Sequence, residues 1–119
     1  MCNVLVVDDD PTILEIVAEA LAFDGHDVRT ATDGQEGIEA LEGDGTDVVL
    51  LDMRMPRLDG WGFAREVEAR GIHVPIIVMT AAQDARQWCA EIHGQDCLPK
   101  PFDIDALFHV VDRFCHPAA

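Results

Sequence analysis

Three consecutive carboxylates follow the first apolar run of the sequence, in the stretch VLVVDDDP. Asp8, Asp9 and Asp10 carry like charges, and charges about 4 Å apart repel by roughly 4 kcal/mol at the effective dielectric of a protein surface. A chain that keeps them together needs something that offsets this repulsion. A bound cation would offset the repulsion between Asp8 and Asp9. Asp10 has a separate explanation as a helix N-cap, because Pro11 follows it at the first helical position.

Other polar residues follow later apolar runs in the same way. Asp52 follows VVLL, Thr80 follows IIVM, and Lys100, the only lysine, comes just after the short run CLP. Together with Asp8 and Asp9, Asp52 would form an oxygen-rich anionic site suited to Mg²⁺, held by carboxylates, a backbone carbonyl and water. A carboxylate beside a cation can attack phosphorus and form an aspartyl phosphate. An ammonium and a hydroxyl would then stabilise the phosphoryl oxygens.

Five apolar runs alternate with five amphipathic segments, and these elements must position the polar residues. The strand-like runs are 4–7, 28–31, 48–51, 76–79 and 97–98, and the helix-like segments are 11–23, 35–41, 60–70, 84–93 and 104–115. Unbroken Val/Ile/Leu runs are typical of parallel strands buried on both faces. We therefore predict an α/β fold, a doubly wound (βα)5 three-layer sandwich with a five-stranded parallel sheet. Its ligand site should lie beyond the carboxyl ends of the strands.

Length and composition restrict the class of protein. The 119 residues, 49% of them apolar, predict a single domain over 1–119 with a substantial core. The net charge of −15, from 23 acidic and 8 basic residues, argues against binding of nucleic acid or an anionic membrane by this domain. No apolar stretch approaches the roughly 18 residues of a membrane span, and no signal peptide is recognisable. We therefore expect a cytoplasmic location.

The four cysteines show no pairing pattern. Cys2, Cys89, Cys97 and Cys115 are scattered and include no C-x-x-C motif, so we expect reduced thiols and no disulfide framework. His26 belongs to no recognisable motif, and the sequence predicts no role for it.

Four motifs make the chain resemble the receiver domain of two-component response regulators. They are VLVVDDDP, VVLLDMRMPRLDGWGF, PIIVMTA and LPKPF, and the likeness covers essentially the whole chain. The resemblance implies the flavodoxin-like strand order 2-1-3-4-5 of chemotaxis regulators. It further implies phosphoryl transfer from a sensor histidine kinase or a phosphotransfer protein, a changed protein-interaction surface, and slow hydrolysis of the acyl phosphate. Such a domain is not a conventional enzyme, although it catalyses its own phosphorylation and dephosphorylation.

The resemblance also implies a role for each matching residue. Asp52 is the expected phosphoacceptor, and Thr80 and Lys100 are expected to contact the phosphoryl group. Pro101 is expected to follow a cis peptide bond that aims the lysine into the site, and cis bonds are nearly confined to X-Pro. The expected cation is Mg²⁺, with Mn²⁺ as the alternative. The implied ligands are Asp8, Asp9, Asp52 and the backbone carbonyl of Arg54.

One position departs from the family pattern. Cys97, three residues before the lysine, stands where the family often has a tyrosine or phenylalanine that moves inward together with the residue at Thr80. Three interpretations stay open: a small packed residue with signalling carried by the loops and the fourth helix, altered partner specificity, and redox sensing. Trp88 and Cys97 mark a candidate surface for a downstream protein partner, which the sequence does not identify. A homodimer through the fourth helix, the last strand and the fifth helix is a further expectation.

Two other functions would suit the same fold. A phosphohydrolase with an aspartyl-phosphate intermediate, like the haloacid-dehalogenase-like enzymes, would carry Asp-x-Asp at the nucleophile, whereas Asp52 is followed by Met53 and Arg54. An unphosphorylated interaction module would not need the complete polar set. That set, which argues for the receiver function, is Asp8, Asp9, Asp52, Thr80 and Lys100.

Overall fold

A computed structural model describes residues 2–43 and 45–115 of the chain. The strands are β1 (Asn3–Val7), β2 (Asp27–Ala31), β3 (Val48–Asp52), β4 (Ile76–Ala81) and β5 (Asp96–Lys100). The helices are α1 (Pro11–Phe23), α2 (Gly34–Gly43), α3 (Gly60–Ala69), α4 (Ala82–Glu91) and α5 (Ile104–Cys115). Every predicted strand and helix is present, and the ends differ from the prediction by no more than two residues. Within the described ranges, no helix has the length and apolarity needed to cross a membrane.

The strands form one parallel sheet in the order β2-β1-β3-β4-β5, which confirms the predicted fold class and strand order. Val7 of β1 pairs with Leu51 of β3, and Ala81 of β4 pairs with Lys100 of β5. The carboxyl ends of these strands therefore line up along one edge. This edge is where the sequence places its unusual polar residues.

The side chains of each central strand alternate between two separate cores. Val4 and Val6 of β1 pack with α1 and α5, whereas Leu5 and Val7 pack with α2, α3 and α4. This alternation is the two-residue period of a β-strand. Because helices cover both faces, every residue of β3 is buried, and the double burial explains why the strands read as unbroken apolar runs.

Asp10 is the N-cap of α1, as predicted. Its carboxylate accepts hydrogen bonds from the backbone N–H groups of Thr12 at 2.9 Å and Ile13 at 3.4 Å, and Pro11 occupies the first turn. These bonds satisfy donors that the start of a helix leaves without partners. The cap also fixes the turn that carries the two acidic residues before it.

Gly60 allows the loop after β3 to pack closely against the strand. A Cβ at this position would lie 2.7 Å from the Cα of Met53 and 3.2 Å from the carbonyl oxygen of Asp52. Asp59 caps α3 by accepting a hydrogen bond from the N–H of Gly62 at 2.9 Å. The start of α3 is thus held directly beside the end of β3.

The structure corrects the prediction of four reduced cysteines. Cys2 and Cys115 are joined by a disulfide, with their Cα atoms 5.5 Å apart. They are 113 positions apart in the sequence, so their spacing gives no sign of the pairing. They meet because the residue before β1 lies beside the last turn of α5. Cys89, which is buried, and Cys97, which is partly buried, are free thiols as expected.

Candidate functional site

The predicted acidic cluster lies at the carboxyl edge of the sheet. Asp8 directly follows β1 and is completely buried, and Asp52 is the last residue of β3 and is 7% exposed. Asp9, the next residue along the turn, is exposed. Carboxylate oxygens of the three residues lie within 4.8 Å of one another. Adjacent strand ends therefore bring together two carboxylates that are 44 positions apart in the sequence.

Lys100 lies between the two buried carboxylates. Its Nζ donates a hydrogen bond to Oδ2 of Asp8 at 2.9 Å and lies 3.8 Å from Oδ1 of Asp52. The peptide bond to Pro101 is cis, as the sequence resemblance implies. The other oxygen of Asp8 accepts the backbone N–H of Asp10 at 2.9 Å. Asp8 is thus partnered at both oxygens, whereas the Asp52 carboxylate is held more loosely.

The environment of Asp52 changes its acidity. Burial, followed by the negative charge of Asp8 and more weakly that of Asp9, raises the pKa of Asp52 from 3.8 to about 6. The positive charge of Lys100 and a hydrogen bond from the N–H of Arg54, at 3.5 Å, act in the opposite direction. At neutral pH the group is still mainly a carboxylate, but it is more basic than an ordinary aspartate. Greater basicity favours attack on an electrophile.

The two predicted switch residues lie on neighbouring strands. Thr80 is 4% exposed near the end of β4, where it pairs with Pro99, the residue before Lys100. Cys97 lies earlier on β5, opposite Val78, and packs against the core on the side of α2, α3 and α4. The structure therefore brings Thr80 to the acidic edge and leaves Cys97 as a small, partly buried side chain away from it.

Arg54 makes a contact that the sequence did not predict. Its guanidinium lies over the ring of Trp88 on α4, 5.0 Å from the ring centroid. The rings of Trp61 and Trp88 pack edge to face, with their centroids 4.9 Å apart. Nε1 of Trp61 donates a hydrogen bond to Oε1 of Glu91 at 2.8 Å. Trp88 is consequently half-buried. The residue two positions after Asp52 is thereby connected to α4 through a cation–π contact.

The family model of the response regulator receiver domain matches residues 4–112. Response regulator MprA of Mycolicibacterium vanbaalenii is 39% identical over 107 residues, covering 88% of this chain and 46% of that protein. MprA of Mycobacterium ulcerans is also 39% identical over 107 residues, with the same coverage. The chain spans about half the length of the curated relatives it matches.

Solved structures show the same architecture. The receiver domain of the Francisella response regulator 1452 superposes with a TM-score of 0.88 and 29% identity, over 96% of each chain. The receiver domain of NtrX from Brucella abortus superposes with a TM-score of 0.87 and 28% sequence identity, over 97% of this chain and 99% of that one. The chain has the five-stranded parallel sheet of this family, and Lys100, which precedes a cis-proline, lies beside its acidic edge. It belongs to the response regulator receiver domain family of two-component systems.

Proposed function

We propose that this receiver domain accepts a phosphoryl group on Asp52 from a phosphohistidine of a sensor kinase or a phosphotransfer protein, in a reaction that depends on Mg²⁺. The observation that carries the proposal is the environment of the Asp52 carboxylate. It is buried beside Asp8, has a pKa raised to about 6, and lies 3.8 Å from the ammonium of Lys100. A basic carboxylate beside a positive charge suits nucleophilic attack on a phosphoryl group.

The proposed transfer exchanges one bond at phosphorus. An oxygen of Asp52 forms a bond to phosphorus while the P–N bond of the donor histidine breaks, and the leaving imidazole keeps the electron pair and takes up a proton. Lys100 neutralises charge on the phosphoryl oxygens, and the hydroxyl of Thr80 donates a hydrogen bond to one of them. Hydrolysis returns the domain to its unphosphorylated form: water attacks phosphorus, inorganic phosphate leaves, and the Asp52 carboxylate is restored.

The donor set at the acidic edge fits a hard divalent cation. Asp8, Asp9 and Asp52 offer only carboxylate oxygens, the ligand type that Mg²⁺ prefers, and Mn²⁺ accepts the same ligands. Repulsion from Asp8 contributes to the raised pKa of buried Asp52, after burial itself, so the site gains from added positive charge. These three residues, with the backbone carbonyl of Arg54, would hold the ion. When bound, it supplies further charge neutralisation at the phosphoryl oxygens.

We further propose that α4 reports the phosphorylated state, since Cys97 has no aromatic ring to do so. Arg54 lies two residues after the acceptor and already contacts Trp88 on α4. A phosphoryl group on Asp52 would compete with the Trp88 ring for the guanidinium, because phosphate is a strong partner for arginine. Loss of this contact would change the α4 surface that includes Trp88. This mechanism favours signalling through the loops and the fourth helix, toward a downstream partner or a homodimer through α4, β5 and α5.

Intact-mass spectrometry tests the acceptor assignment. Incubation with acetyl phosphate and Mg²⁺ should add one phosphoryl group that hydroxylamine removes, and chelation of the cation should prevent the addition. Asp52→Asn should remain unmodified, whereas Asp10→Asn, which changes a neighbouring carboxylate outside the site, should be modified like the wild type. An unmodified wild-type protein that still gains thermal stability from Mg²⁺ would favour the interaction module.

The phosphohydrolase alternative is tested with the same preparation. Repeated hydrolysis of a chromogenic phosphate monoester would support that function, and we expect none. Asp9→Asn separates cation binding from folding, because it should raise the stability of the cation-free protein by removing one acidic charge. The same variant should lose the stabilisation that Mg²⁺ produces in the wild type through ligand linkage. An unchanged response would contradict the proposed ligand set.

A further inference from the structure

A second cluster of metal-binding residue types lies at the opposite edge of the sheet. Cys2 precedes β1, His26 lies in the turn between α1 and β2, and Cys115 ends α5. All three are buried, with exposures of 7%, 6% and 8%. One ligand atom from each lies within 4.8 Å of the others. Three distant parts of the chain thus place two sulfurs and an imidazole nitrogen around one point.

The hydrogen bonds of His26 determine which ring nitrogen can act as a ligand. The backbone N–H of Cys2 donates to Nδ1 at 3.2 Å, so Nδ1 carries a lone pair and the proton of the neutral ring lies on Nε2. Nε2 faces Oδ2 of Asp24 at 3.4 Å and Oδ1 of Asp112 at 3.6 Å. A histidine whose distal N–H faces carboxylates is the usual support around a metal-binding imidazole. Nδ1, on the side of Cys2, is therefore the ring nitrogen whose lone pair could bind an ion, in exchange for the hydrogen bond that it accepts from the Cys2 N–H.

We propose that, when Cys2 and Cys115 are reduced, these two thiolates and Nδ1 of His26 bind one thiophilic divalent cation such as Zn²⁺. Two thiolates and one imidazole are a typical Zn²⁺ donor set, and water completes the four ligands of an open site. The ion would replace the Cys2 N–H at Nδ1. Mg²⁺ would not compete here, because it prefers oxygen ligands.

The disulfide and the ion are alternative occupants of the same position. Binding requires that the disulfide first gains two electrons and two protons; a phosphine reductant supplies the electrons and becomes the phosphine oxide with oxygen from water. Each bound ion then displaces the two thiol protons. Re-oxidation by a small-molecule disulfide, which takes two electrons from the thiolates and two protons from water and becomes two thiols, would restore the Cys2–Cys115 disulfide and release the ion. The site would thus connect the start of β1 to the end of α5 in both states.

Cobalt titration of the full chain tests the proposal. In phosphine-reduced protein, Co²⁺ should produce a thiolate-to-cobalt charge-transfer band that saturates at one equivalent and disappears when Zn²⁺ is added. Cys115→Ser and His26→Gln should each weaken binding at least tenfold, and Asp24→Asn about tenfold through the loss of a supporting carboxylate. Cys97→Ser and Asp9→Asn should retain the band, which separates this site from the other thiols and from the acidic edge.

Two measurements on the wild type keep the test independent of variant folding. In native mass spectrometry, the reduced protein should gain the mass of one zinc ion minus two protons on addition of Zn²⁺. The oxidised protein should bind no zinc. Bound Zn²⁺ should shield Cys2 and Cys115 from alkylation while Cys97 reacts. Absence of the charge-transfer band in reduced wild type, or a band unchanged in Cys115→Ser, would overturn the proposal and leave the two cysteines with the disulfide alone.

Discussion

Replacing Asp52 with asparagine should stabilise the cation-free protein, although it removes the proposed acceptor. The pKa of Asp52 is raised from 3.8 to about 6, with burial as the main cause and the charge of Asp8 as the second. Ionised Asp52 therefore opposes folding at neutral pH. At about 1.4 kcal/mol per pKa unit, the cost to the folded state is about 3 kcal/mol well above pH 6.

The pH dependence of this effect follows from proton linkage. Because the folded state binds the Asp52 proton more tightly than the unfolded state, the cost is full above pH 6 and declines as the pH falls through 6 toward 3.8. Asparagine mimics the neutral form at every pH. The stability gain of Asp52→Asn should thus be about 3 kcal/mol at pH 8, about 1.5 kcal/mol at pH 5 and below about 1 kcal/mol at pH 4.

Urea denaturation in a chelating buffer, from pH 4 to pH 8, measures this gain. Glu19→Gln is the matched control, since it removes the same charge from an exposed position on α1 and should change the unfolding free energy by no more than about 0.5 kcal/mol at any pH. A gain that is the same at pH 4 and pH 8, or a loss of stability at pH 8, would refute the argument that Asp52 is a strained, ionised carboxylate.

Three further predictions concern residues that position the site. Gly34→Ala should destabilise the fold by about 1–3 kcal/mol in thermal unfolding, because the new Cβ would lie 2.9 Å from the carbonyl carbon of Leu58; a neutral result would contradict this close packing. Asp10→Ala should cost about 1 kcal/mol by removing the α1 cap, whereas Asp10→Asn keeps a capping oxygen and should cost much less; equal losses would contradict the capping role. Burial raises the pKa of Asp52 to about 6, and the positive charge of Lys100 opposes that rise. Lys100→Met should therefore raise the pKa of Asp52 further, as measured by carboxyl NMR titration of the cation-free protein. An unchanged or lower pKa would argue against this charge contact.

Much of the fold could be predicted because its signals are local. The apolar runs predicted five strands, and the observed order 2-1-3-4-5 follows the motif resemblance. Asp10 and Pro11 predicted the start of α1 from two adjacent residues. The polar residues after three strands predicted the acidic edge, since parallel strands necessarily bring their carboxyl ends to the same side.

Other features depend on contacts between residues that are distant in the sequence. Cys97 shows by its identity that an aromatic ring is missing, but only the packing shows that Arg54 instead reaches Trp88 on α4. The raised pKa of Asp52 likewise depends on burial first and then on Asp8, which a neighbouring strand supplies. Neither effect follows from residue type alone.

By itself, the sequence determined the strands, the helices and the residues at the carboxyl edge, because hydrophobic period and strand-end position are properties of adjacent residues. Only the tertiary structure decided that Cys2, His26 and Cys115 meet at the opposite edge. Their positions in the sequence follow no motif, and they converge because the start of β1, the last turn of α5 and the turn after α1 are packed together. Burial and charge at both sites arise from the same cause, the packing of distant segments against one sheet.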